Sequence, residues 1–230
     1  MRSQVQDVMT TVVVTVEKDT PYRDIVALLR RHRIGAVPVV DADGQVAGVV
    51  SESDLLLKEE NVDALLDRPW LAPGRRPLDR EKVAATVAEN LMTAPAVSVC
   101  GTTLVAEAAR IMRAHGIKHL TVVDTVTGRL RGIVSRGDLL AVYLRPGEEI
   151  RDEITATVLA EIFPTVATGV SVEVREGVVT LHGTVEKPSL VGALVRGIYG
   201  VEGVVRVENR LSSAQAGTAA TSTPVPMSQR

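Results

Sequence analysis

Two short polar turns stand where a predicted strand passes into a predicted helix. The first turn contains Ser51, Ser53 and Asp54, and the second contains Ser135 and Asp138. Backbone N–H groups at such a turn point outwards and attract an anion, and a serine hydroxyl there can bind phosphate. A carboxylate offers two acceptors for the two hydroxyl donors of a ribose. The turns therefore indicate a sugar–phosphate site, although Ser-x-x-Asp is also the pattern of an ordinary helix N-cap. Both roles can hold at once.

A second repeated set precedes two short apolar strands, and its members are Ile34, Gly35, Ala36, Ile117, Lys118 and His119. Lys118, His119 and Arg136 form a basic set near the second acidic turn that can neutralise a polyphosphate. The first copy has Glu52 at the place of Arg136, so the two sites are expected to differ in their preference for phosphates. Ile34 and Ile117 are equally well explained as core residues.

An internal repeat carries both sets. Met9-Thr10 recurs as Met92-Thr93, 83 positions later, and after one inserted residue Gly48–Ser51 recurs as Gly132–Ser135. A repeat should be sought before any local pattern, because it fixes the organisation of the chain. The matches define a duplicated unit of roughly 50 residues.

Each copy alternates strand and helix patterns. Runs rich in β-branched residues predict the strands 12–16, 37–40, 46–50, 97–99, 120–123 and 130–134. Apolar residues at helical spacing predict a helix from Pro21 onward and another over 105–114, and both acidic turns start a further helix. The segment between the copies, 58–90, is predicted to be a linker with a loop around Trp70 and a helix from about Asp79.

The pattern changes after Gly147. Helical spacing over 148–162, strict alternation over 170–174, a returning strand over 178–185, a helix over 188–199 and a strand at 204–207 predict an αββαβ unit. The last residues are rich in Ser, Thr, Ala and Pro, so 213–230 is predicted to be a disordered tail.

The composition excludes several classes of partner. A net charge of −2 gives no basic field for a nucleic-acid backbone, and an aromatic content of 2% is too low for a base-stacking platform. A single cysteine, Cys100, supports neither an internal disulfide nor a thiolate metal cluster. Because the first residues are polar and no run of 18 apolar residues occurs, we expect a cytoplasmic protein. No nucleophile–base pair or phosphate-binding glycine motif indicates an enzyme.

The duplicated unit resembles a tandem pair of CBS domains, known as a Bateman module. The matching segments are 7–10, 33–41 and 48–55 in the first copy and 91–93, 116–124 and 132–139 in the second. Residues 148–212 resemble a BON domain through 177–185 and 203–211. The resemblance implies an α+β fold with two βαββα units packed about a pseudo-twofold axis. The expected domains are 1–57, a linker over 58–90, 91–146 and the αββαβ domain 147–212.

The resemblance to CBS domains also implies two clefts that hold adenine-containing ligands such as AMP, ADP, ATP or S-adenosylmethionine. The acidic turns and the two Ile-led segments would line these clefts. Thr20 and Thr103 are further candidates for ligand contact, and helix capping is the alternative for both. The resemblance further implies a homodimer formed through the helices.

Two functions remain open at this point. One is a non-catalytic regulatory module that senses an adenosyl ligand and passes its state to the BON-like domain or to a partner protein. The other is a dimeric scaffold whose BON-like domain docks on a membrane surface or on a protein. Nucleic acid is not an expected partner, and no catalytic cofactor or metal is expected.

Overall fold

The computed structural model describes residues 3–60 and 85–213, which fold as two compact units, Ser3–Leu139 and a second unit from Leu140 onward. The fold is α+β, as the sequence predicts. The predicted loop at Trp70, most of the linker with its helix from Asp79, and nearly all of the predicted tail lie outside the described residues. Within the described residues, none of the helices has the length and hydropathy needed to cross a membrane.

The first repeat contains helices α1 and α2, strands β1 and β2, and helix α3, which span Val5–Val8, Tyr22–His32, Ala36–Val40, Val46–Ser51 and Glu52–Glu60. Helix α2 buries Ile25 and Leu29 against the sheet. Its last turn is basic, which suits the negative end of the helix dipole. Strands β1 and β2 pair antiparallel, and Val16 joins β1 in a parallel bridge to Val39.

The second repeat has the same order of elements. Helix α4, strand β3, helix α5, strands β4 and β5, and helix α6 span Ala88–Leu91, Ser98–Val99, Val105–His115, His119–Val123, Leu130–Ser135 and Arg136–Leu140. Strand β4 pairs parallel with β3 and antiparallel with β5. The predicted elements are therefore present, except that the predicted strand 12–16 contributes only the bridge at Val16.

The two repeats exchange their leading segments. Thr10, in the leading segment of the first repeat, forms two backbone hydrogen bonds with Ile133 of the second, at 2.9 and 3.0 Å. Thr93, in the leading segment of the second repeat, forms the equivalent pair with Val49 of the first, at 2.8 and 3.1 Å. Helix α4 accordingly buries Leu91 in the core of the first repeat beside Ile25. Each repeat is completed by residues of the other.

Two glycines allow this exchange, because a methionine packs directly on each. A Cβ built on Gly48 would lie 2.5 Å from Sδ of Met92, and one built on Gly132 would lie 2.6 Å from Sδ of Met9. Real Cβ atoms do not approach other atoms so closely, so each strand must carry glycine where the other repeat's methionine lies over it.

The second unit has an open three-stranded sheet beside helices. After a 3₁₀ turn at Ala141–Leu144 come α7, a π-helix, α8, β6, β7, a 3₁₀ turn at Pro188–Leu190, α9 and β8, which span Gly147–Glu153, Ile154–Ile162, Pro164–Ala167, Val170–Arg175, Val178–Val185, Val191–Tyr199 and Arg206–Ser213. Strand β7 is central, antiparallel to β6 and parallel to β8. The core joins Ile154, Leu181, Leu194 and Ile198. The αββαβ order is as predicted, and the last strand extends to Ser213 rather than ending at Val207.

Candidate functional site

The first acidic turn joins β2 to α3 and is held by its own carboxylate. Oδ2 of Asp54 accepts hydrogen bonds from the Ser51 amide at 2.9 Å and from the Ser51 hydroxyl at 2.7 Å. Oδ1 accepts from the Thr93 hydroxyl at 3.2 Å, across the exchange of leading segments. Asp54 is buried, with 9% of its surface exposed. The carboxylate is therefore fixed in one orientation by residues of both repeats.

The second acidic turn repeats this arrangement. Oδ2 of Asp138 accepts from the amide and the hydroxyl of Ser135, both at 2.8 Å, and the Asp138 amide donates back to that hydroxyl at 3.2 Å. Within the ranges that the structure describes, no hydrogen bond reaches Oδ1 of Asp138. The capping role considered for these motifs is thus present in both copies. It uses one carboxylate oxygen of Asp138 and leaves the other for a further donor.

Each turn opens into a cleft that the other repeat completes. The first, which we call the Asp54 cleft, has a volume of about 260 Å³, and its lining includes Ser51, Glu52, Ser53 and Asp54 together with Thr93, Ala96, Val97, Gly116, Ile117, Lys118 and His119. This volume lies just below the usual range for small-molecule sites, which begins at about 300 Å³. The cleft combines carboxylates of the first repeat with Lys118 and the imidazole of His119 from the second.

The second cleft, the Asp138 cleft, has a volume of about 290 Å³ and the pseudo-symmetric lining: Thr10, Val12, Val13, Val14, Arg33, Ile34, Gly35, Ala36, His119, Ile133, Ser135 and Asp138. It places the acidic turn of the second repeat opposite the Ile34 segment of the first. Val12–Val14 therefore form an apolar wall of this cleft instead of the strand that their β-branched side chains predict.

Gly35 and His119 are the residues that line both clefts. A Cβ built on Gly35 would lie 3.2 Å from Cε1 and 3.5 Å from Nε2 of His119, so the imidazole rests against the glycine backbone. Burial lowers the pKa of His119 below its ordinary value, although the nearby carboxylates of Asp138 and Glu52 oppose the effect. The wall between the two clefts thus contains a half-buried imidazole.

Family models match this arrangement over nearly the whole described chain. The CBS domain model matches residues 5–60 and 87–145, and the BON domain model matches residues 147–215. The chain belongs to the CBS domain family. Its two repeats are the CBS pair, and its second unit is a BON domain.

Relatives and solved structures agree with this assignment over the CBS pair. An uncharacterized protein of Methanocaldococcus jannaschii is 30% identical over 154 residues, which are 61% of this chain and 90% of that protein. The CBS domain-containing protein YhcV of Bacillus subtilis is 30% identical over 137 residues, which are 60% of this chain and 83% of YhcV. The crystal structure of CBSX2, a protein of Arabidopsis thaliana, in complex with AMP is similar with a TM-score of 0.51 and 27% identity, covering 62% of this chain and 97% of CBSX2.

Several CBS residues that line the clefts were not singled out from the sequence. Arg33 is exposed, as its place in a basic helix end predicts, and it also lines the Asp138 cleft. Its backbone is left-handed, with φ 53° and ψ 44°, where Gly116 stands in the second repeat with φ 67°. Thr10 and Thr93 also line the clefts, and their recurrence within the Met-Thr pairs was the available signal.

Three predicted residues are absent from the linings of these two clefts. The Thr20 hydroxyl accepts from the Glu17 amide at 3.0 Å, and the Thr103 hydroxyl contacts Cys100 Sγ at 3.2 Å. Arg136 donates from Nε and Nη2 to the Ile117 carbonyl at 3.1 and 2.9 Å, so it supports the segment that lines the Asp54 cleft. Contact of these three with a ligand stays a prediction.

Lys118 lies beside the second acidic turn, as expected, because its carbonyl oxygen accepts from the Arg136 amide at 3.1 Å. It also lines the cleft of the first turn, which the sequence alone did not indicate. The exchange of leading segments brings the acidic turn of one CBS domain to the Ile-led segment of the other. Among the described residues, no group of His, Cys, Asp and Glu side chains forms a candidate metal site.

Proposed function

We propose that this CBS pair binds an adenine nucleotide in its two clefts and that the protein is regulatory rather than catalytic. The observation that carries the proposal is the pairing, in both clefts, of a fixed aspartate with apolar residues and a cation from the opposite domain. These are the three kinds of group that a ribose, a base and a phosphate require. The similar CBSX2 was crystallised with AMP, which supports the choice of ligand.

In the Asp54 cleft, Ala96, Val97 and Ile117 would contact the base, Asp54 would accept from the ribose hydroxyls, and Lys118 would face the phosphate. Lys118 forms no ion pair with another residue of the described ranges, so its charge is available to a ligand. Glu52 also lines this cleft and limits the negative charge that it can accept.

In the Asp138 cleft, Val12–Val14 and Ile34 would contact the base, and Oδ1 of Asp138 would accept from the ribose. The cation is Arg33, whose planar guanidinium can bind a phosphate through two donors. Among residues with described side chains, Asp138 is the carboxylate that lines this cleft, so it tolerates a more highly charged ligand than the Asp54 cleft. We therefore expect the two clefts to rank AMP, ADP and ATP differently.

A bound nucleotide regulates only if it binds two arrangements of the CBS pair with different affinity. Each cleft is built from both domains, so a ligand that bridges an aspartate of one and a cation of the other favours one relative placement. We propose that this difference is passed to the BON domain or to a partner protein.

The test is calorimetric titration of the full chain with AMP, ADP, ATP and S-adenosylmethionine. Binding of at least one ligand with micromolar to millimolar affinity is expected, together with a rise in Tm. A matched variant, His182→Ala in the BON domain, should bind equally. The absence of heat and of any change in Tm with all four ligands would refute the proposal.

We also propose a homodimer, as expected for the family. A groove of about 740 Å³ between α2 and α3 is lined by Val26, Leu55 and the exposed Leu56 beside Tyr22, which is an apolar surface of the kind that a second copy can cover. Sedimentation equilibrium should give twice the chain mass of 24.5 kDa. A species of the chain mass at micromolar concentration would contradict this.

A further inference from the structure

His119 occupies a place that no other side chain of the two clefts shares. Of the residues that line the clefts, Gly35 and His119 belong to both, and Gly35 has no side chain. The imidazole lies against the Gly35 backbone, with Cε1 and Nε2 at 3.2 and 3.5 Å from the position of a Cβ there. The first repeat has Ala36 at the position that corresponds to His119, so the pseudo-twofold does not supply a second imidazole.

Four charged side chains from both repeats influence the charge of this imidazole. Glu52 at the start of α3, Asp138 and Arg136 on α6, and Lys118 beside it act on its charge, and Asp54 and Arg33 line the two clefts that it separates. Burial outweighs the attraction of the carboxylates, so the pKa of His119 lies below its ordinary value and the neutral form prevails at physiological pH.

The number of donors on an imidazole then limits what the clefts can hold. A neutral imidazole carries one N–H and one lone pair, so it donates to an anion on one side only. The protonated form carries two N–H groups and a positive charge, so it can donate to both sides. Lys118 and Arg33 each line one cleft, and neither can replace His119 in both.

We propose that His119 donates to an anionic ligand in one cleft at a time, so that occupancy of both clefts by anionic ligands requires the uptake of one proton at His119. This inference rests on the proposed function, since it presumes nucleotides in both clefts. It makes His119 the residue that sets how many phosphorylated ligands the CBS pair holds, and it makes the second binding step dependent on pH while the first is not.

The size of the effect follows from linkage. Above the pKa of His119, uptake of one proton weakens binding about tenfold for each unit by which the pH rises. Between pH 7.0 and 8.5 a phosphate monoester is already a dianion, because its second pKa is near 6. In that range the second AMP should therefore bind about 30-fold more weakly at the upper end, with little change for the first AMP.

The experiment is calorimetry of AMP binding at pH 7.0 and 8.5, each in two buffers of different ionisation enthalpy. The expected result is uptake of about one proton with the second AMP and almost none with the first. Adenosine, which lacks the phosphate, should occupy both clefts with equal affinity at the two pH values. His119→Gln, which keeps one amide donor and cannot titrate, and His119→Ala, which copies Ala36, should lose the pH dependence.

The outcomes separate the two proposals. Two AMP sites whose affinities are independent of pH, or a second step without proton uptake, would overturn the role of His119 and leave nucleotide binding intact. The same slope in His119→Gln would also overturn it. If neither AMP nor adenosine binds at either pH, the proposed function itself fails. Should a variant not fold, proton uptake by the unmodified chain decides alone.

Discussion

The Thr93 hydroxyl donates a hydrogen bond of 3.2 Å to Oδ1 of Asp54, and the two residues belong to different CBS domains. Thr93 lies in the leading segment of the second domain, which forms backbone hydrogen bonds with Val49 of the first. The carboxylate that would hold a ribose is thus oriented by the partner domain. A change in the placement of the two domains alters the binding group directly.

Asp54→Asn and Asp138→Asn should each remove one nucleotide site. Asparagine keeps an oxygen that can accept from Ser51 or Ser135, so the apo free energy of unfolding should fall by only about 0.5–1 kcal/mol. The loss of a charged acceptor should weaken binding at that cleft about tenfold or more. Urea denaturation measures the change in stability, and calorimetry with AMP measures the change in affinity.

Each of these variants is the control for the other, because the unaltered cleft should keep its affinity. If both variants retain two sites of unchanged affinity, the aspartates act only as helix caps. The reading of the turns as ligand-binding residues would then be wrong.

Arg33→Gly should separate stability from binding. The backbone of Arg33 is left-handed, which costs about 1 kcal/mol for a residue with a Cβ and nothing for glycine. The free energy of unfolding should therefore stay equal or rise by up to about 1 kcal/mol, while ATP binding to the Asp138 cleft weakens several-fold. Chemical denaturation and calorimetry give the two numbers.

Gly116 provides the matched control for Arg33, because it has the same conformation in the other domain. Gly116→Ala should lower the free energy of unfolding by about 1 kcal/mol, since alanine is strained at φ 67°. A substantial loss of stability in Arg33→Gly would show instead that the arginine is retained for folding.

Gly48→Ala and Gly132→Ala should both destabilise the CBS pair, by about 1–3 kcal/mol, because the new methyl group meets a methionine of the other domain. Second substitutions should restore only part of this stability. Met92→Ala removes Sδ and Cγ from Gly48→Ala but keeps its own Cβ, which would lie 3.0 Å from the new methyl group.

Met9→Ala should likewise restore only part of the stability of Gly132→Ala, because the Thr10 carbonyl oxygen would still lie 2.9 Å from the new Cβ. Double-mutant cycles by denaturation measure both couplings. Full rescue in either pair would mean that the leading segments shift freely over the strands.

Stability should fall in mild acid through His119. Its native pKa is below the ordinary value near 6.5, so the unfolded chain binds more protons there and stability rises with pH. This contribution is fully present above about pH 6.5 and is lost as the pH falls below it. The free energy of unfolding of the ligand-free protein should therefore fall relative to that of His119→Gln as the pH falls below about 6.5.

Urea denaturation of both proteins at several pH values gives the difference between their free energies of unfolding. If this difference stays constant, or grows in favour of the unmodified protein as the pH falls, the neutral state of His119 is contradicted.

The sequence predicted the fold in detail wherever a pattern is local. The strand 178–185 was predicted with its observed bounds, and the helix predicted over 105–114 differs by one residue at its end. The predicted strand at 12–16 failed because Val12–Val14 face a cleft, and β-branched residues suit an apolar wall as well as a strand.

The site could be predicted only in part. A repeat in the sequence shows that the two domains are alike, but it does not show which elements of one domain lie against which elements of the other. The acidic turns and the Ile-led segments were recognised separately, and the sequence did not show that Lys118 lines the cleft of the first turn. The side chain of Arg33 is exposed, as a basic helix end predicts, but its place in the lining of a cleft was missed. Its left-handed backbone has no signature in an arginine.

Because the two domains exchange their leading segments, a chain cut between them cannot complete either domain. A polypeptide ending before Thr93 would lack the residue that pairs with Val49 and donates to Asp54. Its Thr10 segment would also lack Ile133, with which it pairs in the full chain. Two such fragments could satisfy one another only by trading these segments between chains. The pair of domains is therefore the smallest unit of this chain that keeps either cleft complete.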